Sequence, residues 1–334
     1  MKKVTEARQV KISLINKMPI IKAKNITKKF IKTTWNKEDI FHFKKEEKIA
    51  VENLSLEIEK GELVGFLGPN GAGKTTFLKM LSGIMHPTSG EAQVLGYTPW
   101  ERKNEFLRNI AIVMGQKNQL WWDLPTIDSF NLLKEVYGIK TSEYKKNLDM
   151  MVETLNMKEL LTKRLRNMSL GERMKCELTA SFLHNPQVMF LDEPTIGLDV
   201  MSSQSIRAFL AAINKEKKCT LILTSHYMGD IEALCKRVVI INKGQKIYDG
   251  SLSDLKEKYA PEKKIEIYLN NLKEKQIFAK IKANKKIHEG KGIIMAEKEQ
   301  LGRIAKEVFD SFDIENISIS DADTEEVITK IFQN

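Results

Sequence analysis

Short apolar runs and longer amphipathic stretches alternate along the first three quarters of the chain. Largely apolar runs lie at 63–67, 110–114, 188–191 and 221–225. Such runs are typical of strands buried on both faces of a parallel sheet. Between 117 and 183, apolar residues recur at helical spacing, which predicts a helical insertion. We therefore predict an α/β domain over residues 19–259 with a parallel sheet at its core.

The pattern changes after residue 260. Short alternating segments at 265–269, 292–296 and 317–319 predict strands, and helices are predicted at about 299–312 and 324–332. We expect residues 260–334 to form a small α+β accessory domain. No candidate site is visible in it.

A phosphate-binding loop connects the first of the apolar runs to a helix predicted to start at about Lys74. The sequence GPNGAGKT at 68–75 matches G-x-x-x-x-G-K-[ST] at every fixed position. Glycines let the backbone N–H groups fold inward around phosphate oxygens, and the helix N-terminus favours the same anion. Lys74 is expected to hold the β- and γ-phosphates of ATP, and Thr75 to ligate Mg²⁺. The predicted nucleotide ligands here are Gly68, Pro69, Asn70, Gly71, Ala72, Gly73, Lys74, Thr75 and Thr76.

Two adjacent carboxylates follow the apolar run at 188–191. Neighbouring side chains on a strand point to opposite faces, so Asp192 and Glu193 can have separate roles. We expect Asp192 to hold Mg²⁺ through water and Glu193 to orient and polarise the attacking water.

The string SLGE at 169–172 separates one class of phosphate-loop protein from the others. It resembles the signature of the ATP-binding cassette (ABC) family, usually Leu-Ser-Gly-Gly-Gln, with Leu170 in place of the first glycine and Glu172 in place of glutamine. The resemblance covers roughly 20–256 and implies a P-loop NTPase fold of the ABC type, with an antiparallel β subdomain. It also implies a head-to-tail homodimer, in which Ser169, Gly171 and Glu172 reach the nucleotide of the opposite subunit.

The same resemblance assigns further residues. Gln116 corresponds to the glutamine that reaches Mg²⁺ and the attacking water, and His226 to the histidine that senses the γ-phosphate. The run 197–199 resembles the loop that crosses the dimer interface, which makes Asp199 a nucleotide-site residue. Phe30 is the expected stacking partner of adenine. A charged insertion at 31–48 lengthens the hairpin there, and three aromatic residues inside it compete for that role: Trp35, Phe41 and Phe43.

Composition and charge favour a protein that works at a membrane through a partner. No apolar stretch reaches 18 residues, and the polar, basic segment 1–18, expected to be a loosely held tail, lacks the apolar core of a secretory signal. Three cysteines without paired spacing are expected to be reduced thiols. The net charge of +10 suits nucleic acid or anionic lipid; without a base-stacking motif we favour a lysine-rich face near lipid headgroups and expect no specific nucleic acid partner.

Finer sequence features are similar to the ATPases of ABC-2-type exporters, including a subgroup linked to drug or viologen export. They include the stretch 83–90, the signature form and the stretch 116–125. They imply an integral-membrane permease partner and a location on the cytoplasmic face of the membrane. An importer ATPase, or a cassette protein acting on DNA or ribosomes, stays an alternative. Trp121 and Trp122 are predicted either to anchor the permease or to lie buried in the helical insertion.

Overall fold

The computed structural model describes residues 19–35, 43–115, 117–225, 227–259, 262–269, 271–288, 290–312 and 317–321, together with 328, 331 and 332. The chain divides into two compact units, Met1–Asp249 and Gly250–Asn334.

A six-stranded sheet forms the centre of the first unit. Its strands are β3 (Leu63–Leu67), β5 (Ile110–Met114), β6 (Val188–Asp192), β7 (Thr220–Thr224), β8 (Arg237–Asn242) and β9 (Gln245–Ser251), in the order β5-β6-β7-β3-β8-β9. The pairs β5–β6, β6–β7, β7–β3 and β3–β8 are all parallel. Because the carboxyl ends of parallel strands meet at one edge, the segments that follow β3, β6 and β7 are brought together there.

An antiparallel sheet of three strands accompanies the parallel one. Its order is β2-β1-β4, with β1 at Ile21–Trp35, β2 at Phe43–Ile58 and β4 at Ser89–Val94. The charged insertion extends β1 and β2 as a two-stranded ribbon, paired from Phe30↔Lys48 to Trp35↔Phe43. This confirms the predicted long hairpin. The described ribbon residues Lys32 and Glu46–Lys48 are polar and exposed, and the apolar Ile31 is exposed as well.

Helices cover the sheets and form the predicted insertion. They are α1 (Lys74–Leu81), α2 (Asn104–Leu107), α3 (Thr126–Tyr137), α4 (Thr141–Thr154), α5 (Leu170–Phe182), α6 (Val200–Lys217) and α7 (Met228–Leu234). Helices α3, α4 and α5 lie within 117–183, as predicted. The core includes Phe66 of β3 and Phe77 of α1, whose stacked rings are 5.7 Å apart. This contact fixes the strand and the helix on either side of the phosphate loop.

The second unit contains a four-stranded antiparallel sheet with helices. Its elements are α8 (Leu252–Tyr259), β10 (Glu262–Tyr268), α9 (Leu272–Lys280), β11 (Asn284–His288), β12 (Lys291–Glu297), α10 (Lys298–Ser311) and β13 (Ile317–Asp321), with sheet order β11-β12-β10-β13. Ile265, Phe278 and Ile294 belong to its own buried cluster. The predicted strands and the helix at 299–312 are present, whereas most of the helix predicted at 324–332 lies outside the described residues.

Candidate functional site

A cavity of about 580 Å³ lies between the phosphate loop and the base of the β1–β2 ribbon. One wall is the loop and the start of α1, the other is the ribbon, and Glu193 reaches it from the end of β6. Its lining residues are Phe30, Ile31, Lys32, Glu46, Glu47, Lys48, Ala50, Asn70, Gly71, Ala72, Gly73, Lys74, Thr75, Thr76 and Glu193. Sequence positions that are far apart thus meet at one concave surface.

Lys74 is held by the loop that it follows. Its ammonium donates hydrogen bonds to the carbonyl oxygens of Gly68 at 2.5 Å and Pro69 at 3.1 Å. Burial lowers the pKa of Lys74, while the carboxylates of Glu193 and Asp192 oppose that shift. The lysine therefore stands inside the loop, between the backbone that would surround phosphate and the two acids.

Two loop glycines are required by the protein's own backbone. A Cβ at Gly68 would overlap the carbonyl oxygen of Ile241, and a Cβ at Gly73 would overlap that of Ala50. Gly73 also has a φ of 109°, which side-chain-bearing residues rarely adopt. Glycine is therefore needed at both positions so that the loop can pack against β2 and β8. This requirement adds to the close approach to phosphate that the sequence predicts.

Thr75 and Asp192 form the centre of a cluster of oxygen atoms. The Thr75 hydroxyl donates to the Asp192 carboxylate, with Oγ1 3.0 Å from Oδ1 and 2.9 Å from Oδ2. The hydroxyl of Thr224 donates to Asp192 Oδ1 at 2.6 Å. Hydroxyl and carboxylate oxygens are the donors that Mg²⁺ prefers, so the residues present fit this ion. We did not predict Thr224; its position at the end of the strand beside β6 was the available signal.

Glu193 directly follows strand β6 and has an unusual backbone conformation. Its φ is 53°, in the left-handed region, and its amide donates to the carbonyl oxygen of Thr224 at 3.0 Å. Such a backbone in a residue other than glycine persists only where its surroundings hold it. A Cβ at Gly115 would overlap the Glu193 carbonyl oxygen, so glycine is needed directly before Gln116. Gln116 and His226, both predicted catalytic residues, lie outside the described residues.

Ser169 and Glu172 of the signature are engaged with each other at the start of α5. The Ser169 hydroxyl accepts from the Glu172 amide at 3.2 Å, and the Glu172 carboxylate accepts from the Ser169 amide at 2.7 Å. This is a capping box. Partial burial raises the pKa of Glu172, but the Ser169 amide and the ammonium of Lys163, 3.0 Å from both carboxylate oxygens, lower it overall. Glu172 thus has a structural role that the sequence analysis did not assign to it.

Gly171 packs against the start of α6. A Cβ there would overlap the hydroxyl of Ser202 and come within 2.8 Å of its Cβ. Asp199 caps the same helix, accepting from the Ser202 amide at 2.8 Å and from its hydroxyl at 2.7 Å. The predicted signature and the predicted interface loop are therefore neighbours within one chain. Leu170, which is 42% exposed, lies beside Gly197.

Among the residues that the structure describes, Phe30 is the aromatic residue that lines the cavity. Its side chain is 39% exposed, and the ammonium of Lys28 lies 5.4 Å from its ring centroid. Of its competitors, Phe41 lies outside the described residues. The backbones of Trp35 and Phe43 are paired at the far end of the described ribbon.

Comparisons with known proteins agree on one family. The sequence profile of the ABC transporter family matches residues 51–196. The ABC transporter ATP-binding protein NatA of Bacillus subtilis is 33% identical over 232 residues, which are 70% of this chain and 94% of NatA. The chain belongs to the family of ABC transporter ATP-binding proteins. This ABC ATPase is also 32% identical to the probable multidrug ABC transporter ATP-binding protein YbhF of Escherichia coli, across 72% of this chain and 39% of YbhF.

Solved structures show the same fold. A dimeric ATP-binding cassette in a post-hydrolysis state, bound to ADP and Pi, matches with a TM-score of 0.59 at 23% identity, covering 70% of this chain and 98% of that one. The predicted fold class is confirmed: a P-loop NTPase of the ABC type with a parallel sheet and antiparallel β subdomains. Because the chain belongs to the ABC family and has its fold, it is an ATP-hydrolysing enzyme. No helix in the described parts of the chain is long and apolar enough to cross a membrane.

A second feature of the ABC ATPase is the segment that follows Gln116. Trp121 and Trp122 are each 43% exposed, and the guanidinium of Arg173 on α5 lies 4.5 Å from the Trp122 ring centroid. Directly before them, the Gln119 and Leu120 amides donate to Glu177 of α5 at 2.8 and 3.3 Å. The tryptophan pair is thus half-exposed on a segment that the signature helix holds in place.

Proposed function

We propose that this ABC ATPase powers export through a separate membrane permease, working as a head-to-tail homodimer at the cytoplasmic face of the membrane. The catalytic part of this proposal rests on one observation. Four side chains lie close together at the edge of the cavity: Lys74, Thr75, Asp192 and Glu193. The multidrug description of YbhF favours export over import for this chain.

Each predicted residue has a role in the proposed mechanism. The loop amides and Lys74 would bind the phosphates, and Phe30 would stack on adenine across the cavity. Thr75 and Asp192 would hold Mg²⁺, which when bound neutralises charge on the phosphate oxygens. Glu193 would orient and polarise the attacking water. The proposed roles of Gln116 and His226 rest on the family resemblance.

Dimerisation would complete the site. Ser169 at the exposed start of α5 would face the nucleotide of the second subunit, together with Gly171 and Asp199. Helix N-termini attract anions, so the amides beside Ser169 suit the γ-phosphate. The dimeric cassette that shares the fold supports this arrangement.

Glu193→Gln tests the catalytic assignment. Gln keeps the size of the side chain but removes the base, so ATP should still bind while turnover falls by about 10² or more. ATP should also shift this variant to twice the monomer mass in light scattering. Glu216→Gln, an exposed change at the end of α6, is the matched control and should turn over normally. Normal turnover by Glu193→Gln would refute the assignment.

The tryptophan pair tests the permease partner. Large, half-exposed aromatic side chains dominate protein contacts, and this pair lies just after Gln116. Replacing Trp121 by Ala should release the ATPase from membranes containing its permease while ATP binding stays unchanged. Val136→Ala is the control, because Val136 on α3 is also apolar and is even more exposed, at 65%. Membrane association that survives in the Trp121 variant would contradict the anchoring role.

A further inference from the structure

Asp230 is a fully buried carboxylate that joins three separate segments of the ATPase. It lies on α7 and is 0% exposed. The hydroxyl of Thr195 donates to Asp230 Oδ2, and so does that of Ser225, at 3.0 Å. The guanidinium of Arg207 on α6 is 3.4 Å from Oδ1. We propose that Asp230 is a positioning residue for ATP hydrolysis, fixing the turn that carries Glu193 against the end of β7.

The first connection reaches Glu193 through Thr195. The Ile196 amide donates to the Glu193 carbonyl oxygen at 3.2 Å, and the Leu198 amide donates to that of Thr195 at 3.2 Å. These bonds make 193–198 a continuous turn. At its start, the Glu193 amide is bound to Thr224 of β7. The Thr195 side chain ties the same turn to Asp230, so the left-handed Glu193 backbone is held from both sides.

The second connection reaches the segment after β7. The Ser225 hydroxyl accepts from the Tyr227 amide at 3.0 Å and lies 3.1 Å from the Tyr227 carbonyl oxygen. The Asp230 amide donates to that same carbonyl oxygen at 3.2 Å. Ser225 and Tyr227 are the sequence neighbours of His226. The Asp230 carboxylate therefore contacts Ser225 directly, and Tyr227 is held by the Ser225 hydroxyl and by the Asp230 amide.

The third connection supplies charge. Burying a carboxylate is expensive unless hydrogen bonds and an opposite charge compensate it, and bonds to an ionised acceptor are stronger than neutral ones. Arg207, whose side chain is 18% exposed, provides the nearby positive charge. Glu193, Thr195, Arg207 and Ser225 also line one cavity of about 400 Å³. The network thus lies directly beside the proposed general base.

This role rests on the proposed function of Glu193, and its effect would be on turnover. Without its hydrogen bonds to Asp230, the turn 193–198 could move and displace the Glu193 carboxylate. Small displacements of a catalytic group lower the rate strongly. Nucleotide binding depends on the phosphate loop, which the network does not touch. We expect kcat to fall while KM and ATP affinity stay near their normal values.

Thr195→Val and Thr195→Ser form the test, because valine keeps the shape and serine keeps the hydroxyl. We expect kcat per ATP-binding molecule to fall about tenfold in Thr195→Val and to recover to within about twofold in Thr195→Ser. Asp230→Asn should lower kcat at least as much. Thr154→Val, a change at an exposed position at the end of α4, should leave kcat unchanged. Normalising to bound ATP removes any loss of folded protein from the comparison.

Two results would overturn the role of Asp230. One is a loss of kcat in Thr195→Ser as large as that in Thr195→Val, which would show that keeping the hydroxyl does not preserve turnover. The other is kcat within twofold of the parent in both Thr195→Val and Ser225→Ala. Glu193→Gln, measured in parallel, separates the two proposals. Turnover lost in Glu193→Gln but kept in both Thr195→Val and Ser225→Ala rejects only the role of Asp230, whereas turnover kept in Glu193→Gln rejects the proposed function itself.

Discussion

Thr75 and Asp192 are 117 residues apart in the sequence, yet Thr75 Oγ1 lies 2.9 Å from Asp192 Oδ2. Thr75 is the second residue of α1 and Asp192 is the last residue of β6. The contact places one hydroxyl and one carboxylate at the carboxyl edge of the sheet, beside the phosphate loop. It is the arrangement that a phosphate-bound Mg²⁺ would need.

We predict that Thr75→Val raises the Mg²⁺ concentration needed for half-maximal ATPase activity. Valine keeps the shape but removes the oxygen ligand, and loss of even an outer-shell partner of a metal typically weakens metal affinity or activity about 10- to 100-fold. Titrating ATPase activity with Mg²⁺ measures the effect. Thr75→Ser, which keeps the hydroxyl, should titrate like the parent protein. An unchanged midpoint in the valine variant would remove Thr75 from the metal site.

Gly171→Ala should destabilise the protein by about 1–3 kcal/mol, because its Cβ would overlap Ser202. Ser202→Gly removes both overlapping atoms, so the double variant should recover part of that loss. Denaturant unfolding of the two single variants and the double variant measures the coupling. Additive effects would show that the two residues do not clash.

A control glycine is available in the second unit. Gly302 lies within α10, and a Cβ there would meet none of the described atoms within 4 Å beyond its chain neighbours and its own helix backbone. Gly302→Ala should therefore be neutral or stabilise by up to about 1 kcal/mol. If the Gly171→Ala, Ser202→Gly protein is stable but fails to hydrolyse ATP, this would support the expectation that Gly171 reaches the nucleotide of the opposite subunit.

Glu177 predicts a pH dependence of stability. Burial raises its pKa to about 7 against the effect of the Gln119 and Leu120 amides, and its Oε2 has no hydrogen-bond partner among the described residues. A raised carboxyl pKa means that the folded protein binds the proton more tightly than the unfolded chain. Stability relative to Glu177→Gln should therefore fall as pH rises from about 4.5 to about 7, by on the order of 3 kcal/mol, and then level off.

Denaturant unfolding of the parent protein and Glu177→Gln, at pH values from 5 to 8, checks this trend. A constant difference between the two proteins over this range would show that the buried carboxyl titrates as it does in the unfolded chain.

Phe30→Ala should weaken ATP binding by about 5- to 100-fold, because base stacking on an aromatic ring contributes about 1–3 kcal/mol. Inorganic triphosphate has no base and should bind both proteins equally. Ile49→Ala, an exposed change on β2 outside the cavity, is the control. Calorimetric titration with ATP and triphosphate gives the four affinities. Equal ATP affinity with and without the Phe30 ring would return the stacking role to Trp35, Phe41 or Phe43.

Local patterns predicted much of the fold. The strand Leu63–Leu67, the loop and the helix from Lys74 follow from a short apolar run and from glycines at fixed spacing. The second unit was harder. Strand β11 (Asn284–His288) and helix α9 (Leu272–Lys280) were not predicted, because both are mostly polar and α9 buries only Phe278. The sequence of such an exposed helix or strand shows little periodicity in its apolar residues.

Local strings in the sequence already indicate the chemistry of this protein, since the loop, the adjacent carboxylates and the signature are each contiguous. Tertiary structure alone decided which side chains support them. Thr224 beside Asp192 depends on the parallel register of β6 and β7, and Ser202 against Gly171 depends on how α5 meets α6. Asp230 joins Thr195, Ser225 and Arg207 for the same reason. Contacts between distant segments are set by packing, which leaves no fixed spacing in the chain.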